Sequence, residues 1–453
     1  MTRVNDLPAL EANHEEDYML RKLTAVVAVA MVLRSTAACA DDFSLSDMFQ
    51  FHSYGTLGAT YSDLKTADYI STNTQPQGAG YTRSVSPDVD SKMAVQMDAK
   101  FTSRLSAIIQ LISESDDNSS WTHSTNPRYR PSLEWANLKF QATDDISVRA
   151  GRTVLPMNLI SEYRNVGYAN HFVYPPIESY SVVPFTNNDG GDITYHKQIG
   201  RVTNTFVLFG GGSALREPTL ALESHQYGFS DTLEVESLRV HAAYMYTPIK
   251  VTSFPVPSSL YTDFIAAANA LPDNIGSAAA VAALDLYNRY DFVHSWILIN
   301  HYDLGAIYDP GKWFVMGEVY LDYNDGFLGD EYTGWVSGGY RYGNLTPYAT
   351  YSRARTVHRN ESGIPLAGLP GALAAYGAAI NGTIGVVQQI VNPNQQSFSA
   401  GVRWDFMKNL DLKVQYDRVG VFHGSNGEFT NVQSGFQSGS NANVINVVVD
   451  FVF

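Results

Sequence analysis

The sequence predicts an all-β chain, a transmembrane antiparallel β-barrel of about 16 strands, on three observations. Segments of about ten residues alternate apolar and polar side chains with period two. Short turns and long loops alternate strictly between those segments. Charged residues make up 17% of the chain, below the roughly 25% of soluble globular proteins, while aromatics reach 12% with 28 Tyr.

The alternation is clearest at the C-terminus, where Ile445, Val447, Val449, Phe451 and Phe453 share one face and Asn446, Val448, Asp450 and Val452 the other. Phe398, Ala400, Val402, Trp404 and Phe406 alternate with Ser399, Gly401, Arg403 and Asp405. Leu412, Val414 and Tyr416 alternate with Lys413, Gln415 and Asp417, and the segments 92–101 and 313–323 behave alike. Taken along the chain, strands are expected near 48–61, 91–101, 105–114, 132–142, 145–155, 191–198, 202–210, 226–235, 238–250, 294–308, 312–323, 331–342, 346–356, 397–407, 410–420 and 443–453.

Short turns fall around Thr102-Ser103-Arg104, Thr143-Asp144, Ile199-Gly200, Glu236-Ser237, Asp309-Pro310-Gly311, Gly343-Asn344-Leu345 and Lys408-Asn409. Long loops are expected at 62–90, 115–131, 156–190, 211–225, 251–293, 324–330, 357–396 and 421–442. All short turns then lie at one end of a cylinder and all long loops at the other, the asymmetry of an outer-membrane barrel. Closure is required because hydrocarbon satisfies no backbone N–H or C=O, so an open sheet edge cannot face it. Phe101, Phe140, Tyr308, Trp313, Tyr342, Phe406 and Phe453 sit beside the short turns, as a girdle at headgroup level requires. A soluble propeller would show a fixed repeat, and none is found. A soluble barrel of sixteen strands would enclose a lumen too wide for these side chains to fill.

The first forty residues are expected to stand outside the fold. Arg21 and Lys22 precede an apolar run from Leu23 to Leu33, and small residues lead to Ala38-Cys39-Ala40. That pattern reads as a secretory signal peptide cleaved after Ala40. The run is too short to span a bilayer and is followed by Arg34. Residues 1–18 read as an upstream extension before Met19, which leaves 41–453 as one barrel domain. Totals of 30 Lys+Arg and 45 Asp+Glu, less the four and five in residues 1–40, leave a net charge of −14, which argues against a nucleic-acid partner. The one Cys, Cys39, excludes a disulfide framework and a Cys-based zinc site.

With the signal peptide, the terminal Phe453 after Val-Asp-Phe-Val, and the phrases Phe51-His52-Ser53-Tyr54-Gly55 and Arg149-Ala150-Gly151-Arg152, the chain resembles Gram-negative outer-membrane porins of the sixteen-stranded trimeric type. The resemblance implies a homotrimer in outer-membrane lipid, passive diffusion of small hydrophilic solutes and ions, no cofactor and no enzymatic activity. It also implies a third loop, here 156–190, folded inward to narrow the pore. The loops at 251–293 and 357–396 depart from the family in their length and Ala content.

Polar parity places Lys92, Asp98, Lys100, Arg149, Asp192, His196, Arg239, Glu318, Asp322, Arg403, Asp405, Lys413 and Asp417 inside. The loop adds Glu162, Arg164, Glu178 and Asp189. The expected constriction sets a basic wall of Lys100, Arg149 and Arg152 against acids on the loop, with Arg403, Arg164 and Asp192 in the same set. Arg152 has the outward parity of Ile146 and Val148, so only a bulge would aim it inward. For each of these residues, a charge paired with its neighbour is the competing reading. The net charge suggests a mild cation preference.

Asn187-Asn188-Asp189-Gly190-Gly191-Asp192 has oxygen ligands for Ca²⁺ but lacks the spacing and closing Glu of an EF-hand, so a plain turn into a strand fits better. Neither a H-E-x-x-H nor a G-x-S-x-G motif is present. An outer-membrane lipid-modifying enzyme is therefore the weaker alternative, and a channel specific for organic acids or sugars, using lumen tyrosines such as Tyr320 and Tyr348, the stronger. Phe264–Leu286 and Gly371–Ile390 are Ala-rich and weakly amphipathic, which predicts short loop helices. Packing on each other or on a neighbouring subunit is favoured for them over covering the pore mouth.

Overall fold

The computed structural model describes residues 48–115, 128–181, 183, 185–216, 221–253, 259–290, 296–324, 328–357, 363–390, 393–437 and 439–453. The expected signal peptide lies outside them. Sixteen strands form the wall: β1 (Phe49–Ser62), β2 (Lys92–Lys100), β3 (Leu105–Ser115), β4 (Arg128–Gln141), β5 (Ile146–Val154), β6 (Asn187–Ile199), β7 (Val202–Arg216) and β8 (Ala221–Val235) make the first half. The second half is β9 (Leu238–Ser253), β10 (Trp296–Tyr308), β11 (Trp313–Asn324), β12 (Asp330–Tyr340), β13 (Leu345–Val357), β14 (Gln395–Met407), β15 (Leu410–Val421) and β16 (Asn441–Val452). Each pairs antiparallel with its sequence neighbours, and β1 pairs with β16 from Tyr54↔Val452 to Ser62↔Val444, which closes the cylinder. Ser53 and the terminal Phe453 exchange two backbone hydrogen bonds of 2.8 Å at that seam.

The alternating sequence dictates which way each side chain points, and the burial pattern follows it. In β13, Leu345, Pro347, Ala349, Tyr351, Arg353, Arg355 and Val357 are exposed while Thr346, Tyr348, Thr350, Ser352, Ala354 and Thr356 are buried. Large apolar side chains cover the outside of the described wall: Leu57, Ile109, Leu138, Ile193, Leu208, Leu304, Val319, Val336, Val402, Val414 and Val447 are all exposed. A soluble fold would put them in its core, so this inversion of the usual rule is the signature of a lipid-facing surface.

Two belts of rings bound this band. Phe140, Tyr308, Trp313, Tyr342, Phe406 and Phe453 lie exposed at the short-turn end. A second belt, not anticipated from the sequence, runs below the long loops through Tyr227, Phe229, Tyr244, Tyr302, Tyr323 and Tyr332. Successive ring centroids stand 5.9 Å (Phe229–Tyr244), 5.1 Å (Tyr244–Tyr302), 6.1 Å (Tyr302–Tyr323) and 6.0 Å (Tyr323–Tyr332) apart. Amphipathic rings at both edges of an apolar band match the two headgroup levels of a bilayer.

Two differences from the expected strands have local causes. The stretch 211–225, expected as a long loop, is mostly strand: Gly210, Gly211 and Gly212 pair with Tyr227, Gln226 and His225, and β7 and β8 continue to Arg216↔Ala221. Three consecutive glycines read as a loop, yet they are needed where backbones crowd, since a Cβ on Gly211 would stand 2.3 Å from Asn188 Oδ1. In β4 the register shifts between Gln110↔Trp135 and Leu111↔Leu133, a β-bulge that leaves Glu134 without an opposite residue.

The Ala-rich segments form helices α2 (Ser259–Asn269), α3 (Asp273–Tyr290) and α4 (Gly371–Ile390), following a one-turn α1 (Ile177–Tyr180) in the third loop. They pack on each other through Tyr261, Phe264, Ala268, Ala279, Ala283, Leu286 and Ile380. The same cluster continues into buried wall residues Phe209, Met245, Ile249, Ile297 and Ile299, so the helices also fill one side of the lumen at its long-loop end.

Candidate functional site: the waist of the barrel

The connection from β5 to β6 folds into the lumen, and its position follows from a succession of bonds to the wall. The Met157 carbonyl meets His241 Nε2 of β9 at 3.2 Å. Leu159 N donates to Glu318 Oε1 of β11 at 2.6 Å, while Trp335 Nε1 holds the other oxygen at 2.9 Å. Lys413 Nζ of β15, fully buried, donates to the Gly167 carbonyl at 2.7 Å and to Asp450 of β16 at 2.8 Å. Arg403 Nη1 of β14 donates to the carbonyls of Tyr168 and Asn170 at 2.6 and 2.8 Å.

Further along, Val173 N donates to Gln415 Oε1 at 3.1 Å, and the Tyr174 hydroxyl donates to Asp417 at 2.7 Å. The buried Glu178 carboxylate of α1 accepts from Ser352 Oγ at 2.7 Å, Gln395 Nε2 at 2.9 Å and Ser397 Oγ. The loop is thus fastened to one side of the barrel, β9 and β11–β16, and rings seal the contact. His171 packs between Phe172 and Phe314 at 4.5 and 4.4 Å, and its Nε2 bonds Ser337 Oγ at 2.7 Å. Burial pulls the His171 imidazole well below its ordinary pKa, as do the cations Lys413, Arg403 and Arg341, so it serves here as a neutral spacer.

With the loop on that side, free space remains on the other. A cavity of about 100 Å³ separates loop residues Arg164, Asn165 and Tyr174 from wall residues Lys92, Glu114 and Glu134. Across it Asn165 Nδ2 and Thr186 Oγ1 approach Glu134 at 3.5 and 3.4 Å, and these contacts mark the narrow point. Arg164 lies over the Tyr180 ring, 5.5 Å from its centroid. Desolvation lowers its pKa from the ordinary value, Glu134 and Glu114 oppose that, and a guanidinium remains a cation throughout. The waist therefore carries the cation Arg164 on the loop and charges of both signs on the wall, Lys92 and Arg152 with Glu114 and Glu134. The expected acidic loop is not what borders this cavity, while the expected basic wall is represented there by Arg152 among acids.

The sequence candidates are distributed as follows. Arg164 lies at the narrow point. Glu178 and Arg403 hold the loop against the wall. Arg149 donates from Nε to both oxygens of Asp192 at 2.9 Å, directly opposite it in the ladder. Arg152 has the sequence parity of Val148 yet lines the cavity; it donates to Asp189 through Nε–Oδ1 at 2.7 Å and Nη2–Oδ2 at 2.6 Å, and through Nη1 to the Leu133 carbonyl at 2.9 Å. These two pairs leave Asp189 and Asp192 engaged within the first turns of β6. Lys100 ends β2 exposed, Glu162 is exposed on the loop, and neither bonds a described residue.

Glu114 and Glu134 were not among the candidates. Glu114 shares the inward parity of Gln110 and Ile112, a signal the sequence does contain. Glu134 sits at the bulge, where period two breaks and parity gives no answer. The inward tyrosines Tyr320 and Tyr348 are buried, the first among the helix cluster and the second against His171, so neither lines the cavity.

No family model matches the chain, and no curated protein matches it in sequence. Its structure is similar to several solved ones. An outer membrane channel of Acinetobacter baumannii, DcaP, matches over 91% of this chain and 100% of its own, with a TM-score of 0.51 and 9% identity. OmpF of Salmonella typhi, solved in complex with daunomycin, matches over 89% and 97%, with a TM-score of 0.50 and 10% identity. OmpT folded in vitro, an outer membrane protein of Vibrio cholerae, matches over 91% and 100%, with a TM-score of 0.50 and 10% identity. The chain has the fold of the sixteen-stranded outer-membrane porins: a closed antiparallel barrel with an inward third loop and few helices.

Proposed function

We propose that this protein is an outer-membrane channel for passive diffusion of small hydrophilic solutes and ions, exported by the signal peptide in residues 1–40 and built as one barrel domain over 41–453. The observation that carries the proposal is the wet, charged waist: Arg164 on the loop faces Glu114 and Glu134 on the wall, inside a cylinder whose exterior is apolar and ringed by aromatics. Opposed charges orient water across a narrow path, so ions and polar solutes cross more readily than apolar ones of the same size. Asp90, Glu114 and Glu134 stand around the cavity with Lys92, Arg152 and Arg164, three acids with three bases, so the mild cation preference rests on the chain's net negative charge. A homotrimer in outer-membrane lipid is the expected assembly, supported by the resemblance in sequence phrases.

Passive diffusion is preferred over a channel specific for sugars or organic acids because the inward Tyr348 and Trp335 are buried against the loop and Tyr320 in the helix cluster. An enzymatic reading has no support, since the buried Glu318, Asp417 and Glu178 are engaged with loop or wall donors. Reconstitution into a planar bilayer tests the proposal: stepwise single-channel currents with a small cation preference are expected. An absence of current from detergent-folded protein overturns it.

A further inference from the structure

Beneath the helices the lumen wall carries polar groups that nothing answers. On β10–β12 the inward His301, Asp303, Tyr320 and Thr333 are at most 6% exposed. Both Asp303 oxygens, His301 Nε2, the Tyr320 hydroxyl, Thr333 Oγ1 and Glu331 Oε1 are buried without a hydrogen-bond partner among the described residues. The registers stack them on two adjoining rungs, Asp303↔Tyr320↔Thr333 and His301↔Asp322↔Glu331. His301 Nδ1 meets Asp322 at 2.5 Å, and His241 Nε2 stands 3.8 Å from Asp303 but is committed to the Met157 carbonyl. The roof is apolar. Ala243 and Met245, the register partners of Asp303 and His301, share one packed cluster with Tyr320, Phe264 of α2, Leu286 of α3 and Ile380 of α4. The floor is the third loop, where Leu159 and Tyr180 pack with Trp335. No Lys or Arg stands on either rung, and the helices hold one, Arg289 in the last turn of α3.

Polar groups of this kind belong to a wet lumen and are misplaced under a roof. With the helices closed down, each unanswered donor or acceptor forfeits its water, and three carboxyl groups face no Lys or Arg. Lifting the helices as a unit keeps their mutual packing through Tyr261, Ala268, Ala279 and Ala283 and gives up only their contacts to the wall. Rehydration of the rungs offsets that loss, so closed and lifted arrangements are balanced, the condition for a concealed site. The groups of the chamber define its ligand. Asp303, Asp322 and Glu331 supply acceptor oxygens, Thr333 a hydroxyl, and Tyr320 a hydroxyl and a ring face. Among the described residues no three His, Asp or Glu side chains converge to hold a metal ion, so the complement is an organic cation with several N–H donors. We infer that α2–α4 are a displaceable cap over a binding site for solutes bearing an ammonium or guanidinium group, lined by Asp303, Tyr320, Asp322, Glu331 and Thr333. The site rests on the barrel having a wet lumen but not on conduction through its waist.

The test labels a thiol inside the chamber of the full-length protein in nanodiscs. In a Cys39→Ser background, which removes the chain's one Cys, Thr333→Cys places a single thiol under the cap. Val281→Cys, on the exposed face of α3, is the control for open access. The probes are methanethiosulfonates bearing a trimethylammonium, a sulfonate or no charge. T333C should react about tenfold more slowly than V281C with the neutral reagent, and about tenfold faster with the cationic reagent than with the anionic one. n-Butylammonium should protect T333C from the neutral reagent, and the concentration giving half-protection should rise about tenfold in D303N/D322N. Phe264→Ala, which removes a fully buried ring from the cap, should speed labelling of T333C about tenfold. No labelling of T333C while V281C reacts overturns the cap, as does labelling of T333C as fast as V281C. Equal rates with cationic and anionic reagents, or protection unchanged in D303N/D322N, overturns the cation site. These comparisons do not use F264A, so they decide the matter where that variant fails to fold; folded F264A labelled no faster than its parent overturns the helices as the barrier. Channel currents without labelling of T333C refute the chamber and leave the channel, and protection by n-butylammonium without current does the reverse.

Discussion

Gly167 of the inward loop touches Asp450 of β16 so closely that a Cβ on the glycine would stand 2.0 Å from Asp450 Oδ1 and 2.7 Å from Thr56 Oγ1. That carboxylate cannot swing aside, because Thr56 Oγ1 donates to one of its oxygens and buried Lys413 to the other. Gly167→Ala should therefore push the loop off the wall at its tightest contact. The expected cost is about 1–3 kcal/mol in stability. Single-channel conductance should change as well, since a displaced loop alters the cavity it borders. Unchanged conductance together with unchanged thermal stability would contradict this account of how the loop is seated.

A different anchor should respond to loss of charge without change of shape. Glu178 accepts three hydrogen bonds from Ser352, Gln395 and Ser397 in a buried site. Glu178→Gln replaces one acceptor oxygen by a donor and leaves at least one wall donor unsatisfied, at about 1–3 kcal/mol. Current recordings should show more open-channel noise than wild type, and the melting temperature should fall. Ser397→Ala, which removes a single donor, should have the smaller effect on both.

Charge at the waist should read out as selectivity. Arg164→Gln is expected to raise the cation-to-anion permeability ratio a few-fold, and Glu134→Gln to lower it, at the separations and dielectric of a wet lumen. Reversal potentials under a salt gradient measure both. Movement of the two variants in the same direction would show that the cavity between them is not the conducting path.

Asp90 gives the waist a pH dependence. Burial pushes its carboxyl up to about 7 from 3.8, against the opposing Thr60 hydroxyl and Lys92. Asp90 borders the cavity. Below pH 7 it is therefore neutral and above pH 7 an extra negative charge, so cation preference should rise between pH 5 and 8 and be flat in Asp90→Asn. The stability effect has the opposite sense. Between 3.8 and about 7 the folded state holds a proton that the unfolded state has lost, so this group's contribution to stability falls as pH rises across that window. Chemical denaturation of wild type and Asp90→Asn at several pH values checks the second effect independently of the first.

Much of the wall was legible because a sheet with one greasy and one wet face writes period two into the chain. All sixteen strands lie where the alternation places them, and the outward set Ile445, Val447 and Val449 is the set the sequence gives to one face. Legibility failed where the period breaks or where contacts are long-range. The glycines at 210–212 look like a loop and are a crowded sheet, and Glu134 sits at a bulge. The path of the inward loop is set by Lys413, Arg403 and Gln415, more than two hundred residues away in sequence, and no local pattern encodes which side of the barrel it chooses. That choice set Arg164 opposite a stretch of wall that carries both signs, Lys92 and Arg152 with Glu114 and Glu134.

The seam between Ser53 and Phe453 also governs how the molecule can be made. Both edges of the growing sheet stay open until the last strand arrives, since the first strand's permanent partner is the last to be synthesised. Each earlier stage is a curled ribbon with two sticky borders, prone to pair with another copy. Ring closure, the step of highest contact order in the whole process, is then the slow one. Removing β16 whole would leave β1 and β15 as the two open edges of an unclosed sheet.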